Sequence, residues 1–395
     1  MLRQKRRTAL TLLTIFGGFT LAAISIGWSD GTYAYIIDMF TRNRLGHIEI
    51  HKEDYLDRPS IYKRIQNYRE VGGRINEIEG VDSWAPRIFA GGLASLGDKT
   101  AAVQLIGMDP ELEETTTGFN KNVLKGKPLA AHPSREVLLG KELAQILKAQ
   151  VGSEIVLLTQ AADGSLANDV FELIGIVDTG DETTDRLGLY MNLGAAQELL
   201  VTDDEVHEII ITIHDLKHID VITNAIRSRL NDPQLDVQPW QVFAKSFYDA
   251  MRADQQGMWV MLAVIILIVA VGVLNTVLMS VLERRREYGL LKAVGTRPGQ
   301  IVKLVLAELF LITMGGVLLG AGLSIVVNWF LSIHGISLPT PISYGGADFT
   351  HMYAEITPRS LYLPAITVFL SSLLVGLAPA LKAAGTEPAE AMRTF

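Results

Sequence analysis

The chain has 395 residues, of which 49% are hydrophobic and 20% charged, and its mean hydropathy is positive at +0.26. This composition argues against a wholly water-soluble globular protein. The net charge of −8 gives no support to a nucleic-acid partner, and the absence of cysteine excludes disulfides, thiol chemistry and a lipid-modified N-terminal cysteine.

Four segments are long and apolar enough for a membrane-spanning helix, which needs about 20 consecutive apolar residues. They occupy residues 8–28, 257–282, 309–330 and 361–381, and Lys303 and Glu308 lie at the entry to the third. A cleaved signal peptide is the alternative for the first segment. Its apolar run is longer than that of a signal peptide and no A-x-A site follows, so we interpret it as a retained helix.

The distribution of Lys and Arg predicts the orientation of these spans. Basic residues cluster at 3–7, before the first span, and at 284–303, between the second and third, whereas residues 334–358 contain none. Because basic residues near helix ends are retained on the cytoplasmic side, both termini and the 283–300 segment should be cytoplasmic. The spans should therefore lie in a membrane, in contact with lipid, with the segment 41–254 outside the cell's cytoplasm.

The predicted fold is an integral membrane protein with an α-helical, four-span transmembrane domain. A large α+β extracytoplasmic domain lies between the first and second spans. We divide the chain into residues 1–40 (cytoplasmic N-terminus and first span), 41–254 (extracytoplasmic domain) and 255–395 (C-terminal transmembrane domain). This C-terminal domain would contain spans at 257–282, 301–333 and 361–381, a cytoplasmic helix at 283–299 and a short cytoplasmic tail.

Periodicity predicts the elements of the extracytoplasmic domain. Segments rich in β-branched residues predict strands at 47–51, 154–159, 171–177 and 208–213. Helical spacing predicts helices at 60–78, 141–150 and 195–200. Between two of the strands, Asp163 and Gly164 supply the turn of a hairpin loop at 159–169.

No group of residues forms a catalytic constellation, so we predict no catalytic residue and no metal. The nearest phosphate-loop pattern runs from Gly92 to Gly97, but Asp98 interrupts it, and a turn between strands is the better interpretation. His47, Glu49 and His51 alternate, so on a strand they would share one face. That face could hold a metal, but we interpret it as a solvated strand face.

Small residues recur at helical spacing within the spans. Gly316 and Gly320 form a G-x-x-x-G pattern, and Ser372 and Gly376 are four residues apart. Small residues let helices approach closely in lipid. These faces should pack the spans against one another or against a second copy of the chain.

The segment 283–300 predicts a short amphipathic helix between the second and third spans. Glu287, Leu290 or Leu291, and Val294 fall at helical spacing; Gly295 suits a C-terminal cap. Thr296 and Pro298 would then begin the next helix. Such a helix could transmit force from a cytoplasmic protein, or it could be a charged stop-transfer loop, and these two interpretations stay open on the residues alone.

The segment 283–320 resembles the signature of the FtsX/MacB superfamily of ABC-transporter permeases, roughly E-R-x-x-E-[IY]-G-x-L-x-A-[LV]-G. The ending, residues 376–393, resembles the closing P-A-x-x-A-x-x-x-x-P-x-x-A-[LM]-R of that superfamily, and residues 137–158 and 190–200 resemble its extracytoplasmic domain. The resemblance implies that the ATPase-coupling residues are Glu283, Arg284, Arg285, Glu287, Gly289, Leu291, Ala293 and Gly295.

This resemblance also implies the location and the partners. The protein would lie in the cell's inner membrane, with residues 41–254 in the periplasm and residues 255–395 as the permease domain. The chain would be a non-catalytic permease subunit that works as a dimer, with a second copy or a paralogue, on a cytoplasmic ABC ATPase dimer. It would bind no cofactor itself, since ATP and Mg²⁺ are used by the ATPase, which is a separate chain.

Within the superfamily, residues 42–60 resemble the LolC/LolE-type permeases of lipoprotein release. That similarity implies a lipoprotein cargo passed to a periplasmic carrier. The alternatives are MacB-like efflux of a peptide or small molecule, and FtsX-like mechanotransmission to an external cell-wall hydrolase.

Overall fold

The computed structural model describes residues 5–344 and 347–387. Within these residues the chain forms two compact units. The helical unit comprises residues 5–35, 250–339 and 350–387, and the sheet unit comprises residues 36–249, 340–344 and 347–349.

The helices in chain order are α1 (Lys5–Phe40), α2 (Tyr68–Asn76), α3 (Pro110–Thr117), α4 (Lys141–Leu147), α5 (Glu182–Leu187), α6 (Leu193–Leu200), α7 (Ile219–Leu230), α8 (Trp240–Phe243), α9 (Lys245–Glu283), α10 (Arg285–Ala293), α11 (Pro298–His334) and α12 (Pro358–Ala384). The strands are β1 (Ile48–Lys52), β2 (Ile65–Gln66), β3 (Val81–Leu96), β4 (Lys99–Met108), β5 (Val123–Gly126), β6 (Glu136–Gly140), β7 (Glu154–Gln160), β8 (Leu166–Val177), β9 (Gly188–Asn192), β10 (Glu205–Val206), β11 (Glu208–Ile213), β12 (Leu235–Pro239), β13 (Ile336–Tyr344) and β14 (Ala347–Met352).

A mixed sheet organises the sheet unit. Its order is β12-β1-β11-β3-β4-β9-β6-β8-β5, and β7 pairs with both β3 and β8. Most neighbours are antiparallel, but β4 pairs in parallel with β9, and β6 with β8. Strands β2 and β10 form a small separate ladder. This is the α+β arrangement that the strand and helix patterns predict.

Two tight turns in this sheet confirm local predictions. The phosphate-loop-like segment is a hairpin, in which Leu96 of β3 pairs with Lys99 of β4. Gly97 in its turn has a φ of +59°, which a side chain disfavours. The β7–β8 hairpin closes around Gly164, whose φ is +87°.

Two sequence predictions for this unit are wrong. A single helix does not fill residues 60–78; β2 pairs with β10 there, and α2 begins only at Tyr68. The face of His47, Glu49 and His51 is not solvated, since all three side chains are buried. The reason is that β1 lies between β11 and β12 and is covered on both faces, whereas alternation alone does not show which face is covered.

The helical unit contains α10 and the long helices. Among the described residues, four helices are long and apolar enough to cross a membrane: α1, α9, α11 and α12. One buried cluster draws side chains from all four, namely Ile15, Phe19, Ala23, Val269, Val273, Leu309, Val317 and Val368. Many of the remaining Leu, Ile and Val side chains on these helices are exposed, as lipid-facing surfaces require.

Candidate coupling site

The short helix α10 lies between the second and third long apolar helices, in the helical unit. It follows Arg284, whose backbone leaves helical geometry, and it ends before Gly295, whose φ is +101°. A Cβ added at Gly295 would meet no atom within 4 Å, so a side chain would find room there. Glycine is favoured at this position because of its positive φ. The predicted turn is therefore present, and Pro298 occupies the first turn of α11.

The cap of α11 differs from the prediction. Arg297, not Thr296, is the residue that precedes the helix. Its backbone N–H donates to Oε1 of Gln300 at 2.9 Å, which satisfies one donor at the start of the helix.

One face of α10 is buried in the helical unit. Tyr288 and Gly289 are its buried residues. Tyr288 packs in a cluster with side chains from the end of α9, the start of α11 and the end of α12, namely Val281, Ile301, Val305, Ala380, Ala383 and Ala384. The helix is thus fixed to three of the four long helices through one aromatic side chain.

Two cations hold α10 in place. Nη1 of Arg284 donates to Oε2 of Glu308 on α11 at 2.8 Å, and Arg284 also hydrogen-bonds Tyr288. Lys292 donates from Nζ to the carbonyl oxygens of Ala384 and Thr386, at 3.0 and 2.8 Å. These carbonyls end α12, where helix acceptors lack partners and a cation is favoured.

The opposite face of α10 is exposed. The Glu287 side chain is 70% exposed, Leu290 is 55% exposed and Val294 is 81% exposed. These residues follow the i, i+3, i+7 spacing of a single helical face. An acidic side chain therefore sits beside an apolar stripe that has no partner within the described part of the chain.

The motif residues divide between these two faces. Leu291, Ala293 and Gly295 are exposed, as is Glu283 at the end of α9, and Arg285 is half-buried. Gly289 faces inward, so it lies on the packing side of α10 rather than on its outer surface. Residues 388–393 of the closing motif lie outside the described residues.

Sequence reasoning did not identify Glu308 or Lys292 as part of this site. Glu308 is a carboxylate near the entry of an apolar segment, and such a group requires a cationic or polar partner. The sequence therefore does indicate that Glu308 needs a partner. The carbonyls that accept from Lys292 carry no sequence signal, because they become available only where α12 ends.

The small residues of the spans pack helices of this chain together. A Cβ added at Gly316 would lie 2.8 Å from Cγ2 of Ile15, and one added at Gly320 would lie 2.7 Å from Cδ1 of Phe19. Both glycines therefore face α1. A Cβ added at Gly376 would likewise overlap Cδ2 of Leu309 on α11, and Ser372 is fully buried.

Comparisons with known proteins match nearly the whole chain. The MacB-like periplasmic core domain matches residues 8–229, and the FtsX-like permease C-terminal region matches residues 259–388. The lipoprotein-releasing system transmembrane protein LolC of Neisseria meningitidis is 23% identical over 414 residues, covering 99% of this chain and 97% of LolC.

The chain is also similar to proteins of the MacB type. The macrolide export ATP-binding/permease protein MacB 2 of Aeromonas hydrophila is 24% identical over 99% of this chain, which spans 59% of that relative. The crystal structure of the periplasmic region of MacB from Actinobacillus actinomycetemcomitans aligns with 51% of this chain and 92% of its own, at 13% identity and a TM-score of 0.38. The predicted resemblance is confirmed, and this chain belongs to the family of ABC-transporter permeases that join a MacB-like periplasmic core domain to an FtsX-like permease C-terminal region.

Proposed function

We propose that this permease releases lipoproteins from the inner membrane toward the outer membrane, driven by ATP hydrolysis in a separate ABC ATPase. The observation that carries the proposal is the similarity to LolC, which runs through 99% of this chain and 97% of that relative. The MacB relative is matched over only 59% of its length. The acylated cargo would pass to a periplasmic carrier.

The exposed face of α10 is the proposed contact for the ATPase. Glu287, Leu290 and Val294 offer a negative charge and apolar area on one side of a short rigid helix. Anchoring by Arg284 to α11 and by Lys292 to α12 would carry a displacement of α10 into two long helices. Gly289, on the inner side, would act by packing rather than by touching the ATPase.

The proposed topology follows the distribution of basic residues. Residues 1–40 would contain the cytoplasmic N-terminus and first span, residues 41–254 the periplasmic domain, and residues 255–395 the permease domain with α10 in the cytoplasm. The permease would act with a second copy or a paralogue against an ATPase dimer that uses ATP and Mg²⁺.

A MacB-like efflux function is the second candidate. It is favoured by the match of the periplasmic core domain over residues 8–229 and by the similarity to MacB 2. In that function the external partner would be an adaptor and the cargo a peptide or small molecule.

Photo-crosslinking in cells tests the cargo. We would place the crosslinker at Trp28 and Val260, which are exposed on the half of α1 and of α9 assigned to the outer leaflet. Leu10 and Leu282, exposed at the cytoplasmic ends of the same helices, are the matched controls. Mass spectrometry should recover acylated proteins from the outer pair alone.

Two other outcomes would contradict lipoprotein release. Capture of a periplasmic adaptor without acylated proteins would support efflux, and capture of a soluble cell-wall hydrolase would support mechanotransmission. Equal capture of acylated proteins at both ends of the helices would overturn the proposed topology.

A further inference from the structure

Two neighbouring strands of the sheet unit bring three potential metal ligands together. In the antiparallel pair β1–β11, His51 lies directly opposite Glu208. Glu49 is two residues from His51 on the same strand, so its side chain projects from the same face. Their ligand atoms all lie within 4.8 Å of one another.

Two of the three ligand separations are close to those of a tetrahedral site. Nε2 of His51 is 3.2 Å from Oε2 of Glu208 and 3.7 Å from Oε2 of Glu49. Zinc binds imidazole nitrogen and carboxylate oxygen at about 2.0–2.2 Å, which separates tetrahedral ligands by about 3.4 Å. The cluster therefore has nearly the spacing that such an ion requires.

The charges of this cluster do not balance. Glu49, Glu208 and Glu113 are buried carboxylates, and among the side chains that the structure describes, the guanidinium beside Glu113 and Glu208 is that of Arg87. Nε of Arg87 donates to Glu113 at 3.1 Å, and a second Arg87 nitrogen also bonds Glu113, whereas its Nη1 approaches Glu208 only to 3.6 Å. Buried charge without a counter-charge is costly, and a divalent cation would cancel the excess.

Among the described side chains, Glu49 is the clearest example of a carboxylate in this cluster that lacks a partner. It is 4% exposed, and no described residue donates a hydrogen bond to its carboxylate. A proton or a metal ion is the remaining way to neutralise it.

The surroundings orient the histidine and leave a route to the cluster. The ring of Tyr55 stacks on that of His51, with centroids 5.2 Å apart and an angle of 10°. Glu208 and Arg87 also line a cavity of about 470 Å³ within the sheet unit, so one side of the cluster is reachable by a small ion. That side could supply a water molecule as fourth ligand.

We propose that Glu49, His51 and Glu208 form a binding site for a divalent transition-metal cation, with Zn²⁺ as the preferred ion. One nitrogen and two carboxylate ligands favour Zn²⁺ over Ca²⁺ and Mg²⁺, which take oxygen ligands in larger number. A bound ion would tie β1, the first strand after α1, to β11. This role is independent of the cargo and of the ATPase.

Metal binding by the full-length protein in detergent, without a histidine tag, tests the site. The protein would be stripped with a chelator and titrated with Zn²⁺ against a chromophoric competitor. We expect one Zn²⁺ per chain and a Zn²⁺-dependent rise in melting temperature. Glu49→Gln should weaken binding by more than about 100-fold, because loss of residues that merely support metal ligands already costs about 10–100-fold.

Matched variants separate this site from other effects. Glu49→Gln keeps the shape and removes a buried negative charge, so without metal it should melt no lower than the wild type. His214, an exposed histidine 3.6 Å from Asp82, is the control for adventitious binding, and His214→Gln should leave the affinity unchanged. Wild-type protein without stoichiometric Zn²⁺ binding, or Glu49→Gln protein that binds as tightly as wild type, would overturn the proposal.

Discussion

Arg284 and Glu308 form an ion pair of 2.8 Å across the turn that connects the second and third long apolar helices. The pair joins the residue before α10 to the body of α11, and both side chains are only about a quarter exposed. A carboxylate at this depth in an apolar helix is costly unless it is paired. Pairing with Glu308 therefore fixes the position of the Arg284 side chain.

A double-mutant cycle on this pair should show strong coupling. Arg284→Gln should lower the free energy of unfolding by about 2 kcal/mol, because it leaves Glu308 without its charged donor. The double variant with Glu308→Gln should recover about 1 kcal/mol relative to the sum of the single changes. Denaturant unfolding in mixed micelles measures both. Glu287→Gln is the control, since Glu287 is exposed and 3.6 Å from Arg284, and it should change stability by less than about 0.5 kcal/mol.

Charge reversal on the exposed face of α10 should separate coupling from stability. We expect Glu287→Lys to reduce stimulation of the partner ATPase in reconstituted membranes, because a cation would replace the exposed carboxylate of the proposed contact. The protein itself should melt as the wild type does. Glu154→Lys, a reversal at an exposed position of β7 in the sheet unit, should leave ATPase stimulation intact. If the Glu287→Lys variant stimulates the partner ATPase as strongly as the wild type does, the proposed docking role of this face is wrong.

The sequence was most informative where one local pattern decides the structure. The run of β-branched residues at 208–213 predicts a strand, and β11 has those bounds. Four uncharged or nearly uncharged segments predict four long helices, which the structure contains among its described residues. In α10, spacing also predicts a stripe of Glu287, Leu290 or Leu291, and Val294, and the structure exposes these residues, Leu290 more than Leu291.

Where distant segments meet, the sequence was insufficient. The alternation at His47, Glu49 and His51 predicts a shared face, but its burial depends on segments far along the chain, such as β11, whose Glu208 side chain contacts His51. Gly289 belongs to the same motif as Glu287, yet it is buried, because the packing of α10 against the neighbouring helices decides which of its faces points inward. The contact of Lys292 with the end of α12 depends in the same way on long-range packing.

Two glycines of α11 should respond in opposite ways to alanine. A Cβ at Gly320 would lie 2.7 Å from Cδ1 of Phe19 and 3.2 Å from the backbone oxygen of Phe16, so Gly320→Ala should cost about 1–3 kcal/mol. At Gly322 a Cβ would meet nothing within 4 Å, and alanine should be neutral or stabilising by up to about 1 kcal/mol. Unfolding in mixed micelles compares the two. Equal effects would show that contact with α1 does not limit the side chain at Gly320.

In the sheet unit, Asp185 should make stability fall as the pH rises. Burial raises the pKa of Asp185 to about 6, although Thr179 donates hydrogen bonds from its backbone N–H and from Oγ1. The native state therefore binds more protons than the unfolded chain between about pH 4 and pH 6, so the free energy of unfolding decreases through that window. Two pH units correspond to about 3 kcal/mol.

Asp185→Asn provides the measurement of this effect, because asparagine keeps an oxygen acceptor for Thr179 but does not titrate. The free energy of unfolding of Asp185→Asn minus that of the wild type should increase by up to about 3 kcal/mol between pH 4 and pH 6. This difference should then stay constant from pH 6.5 to 7.5. Thermal unfolding of the two full-length proteins in the same buffers gives the difference directly. If this difference does not change across pH 4–6, Asp185 is ionised throughout. The hydrogen bonds from Thr179 would then stabilise the carboxylate more than burial destabilises it.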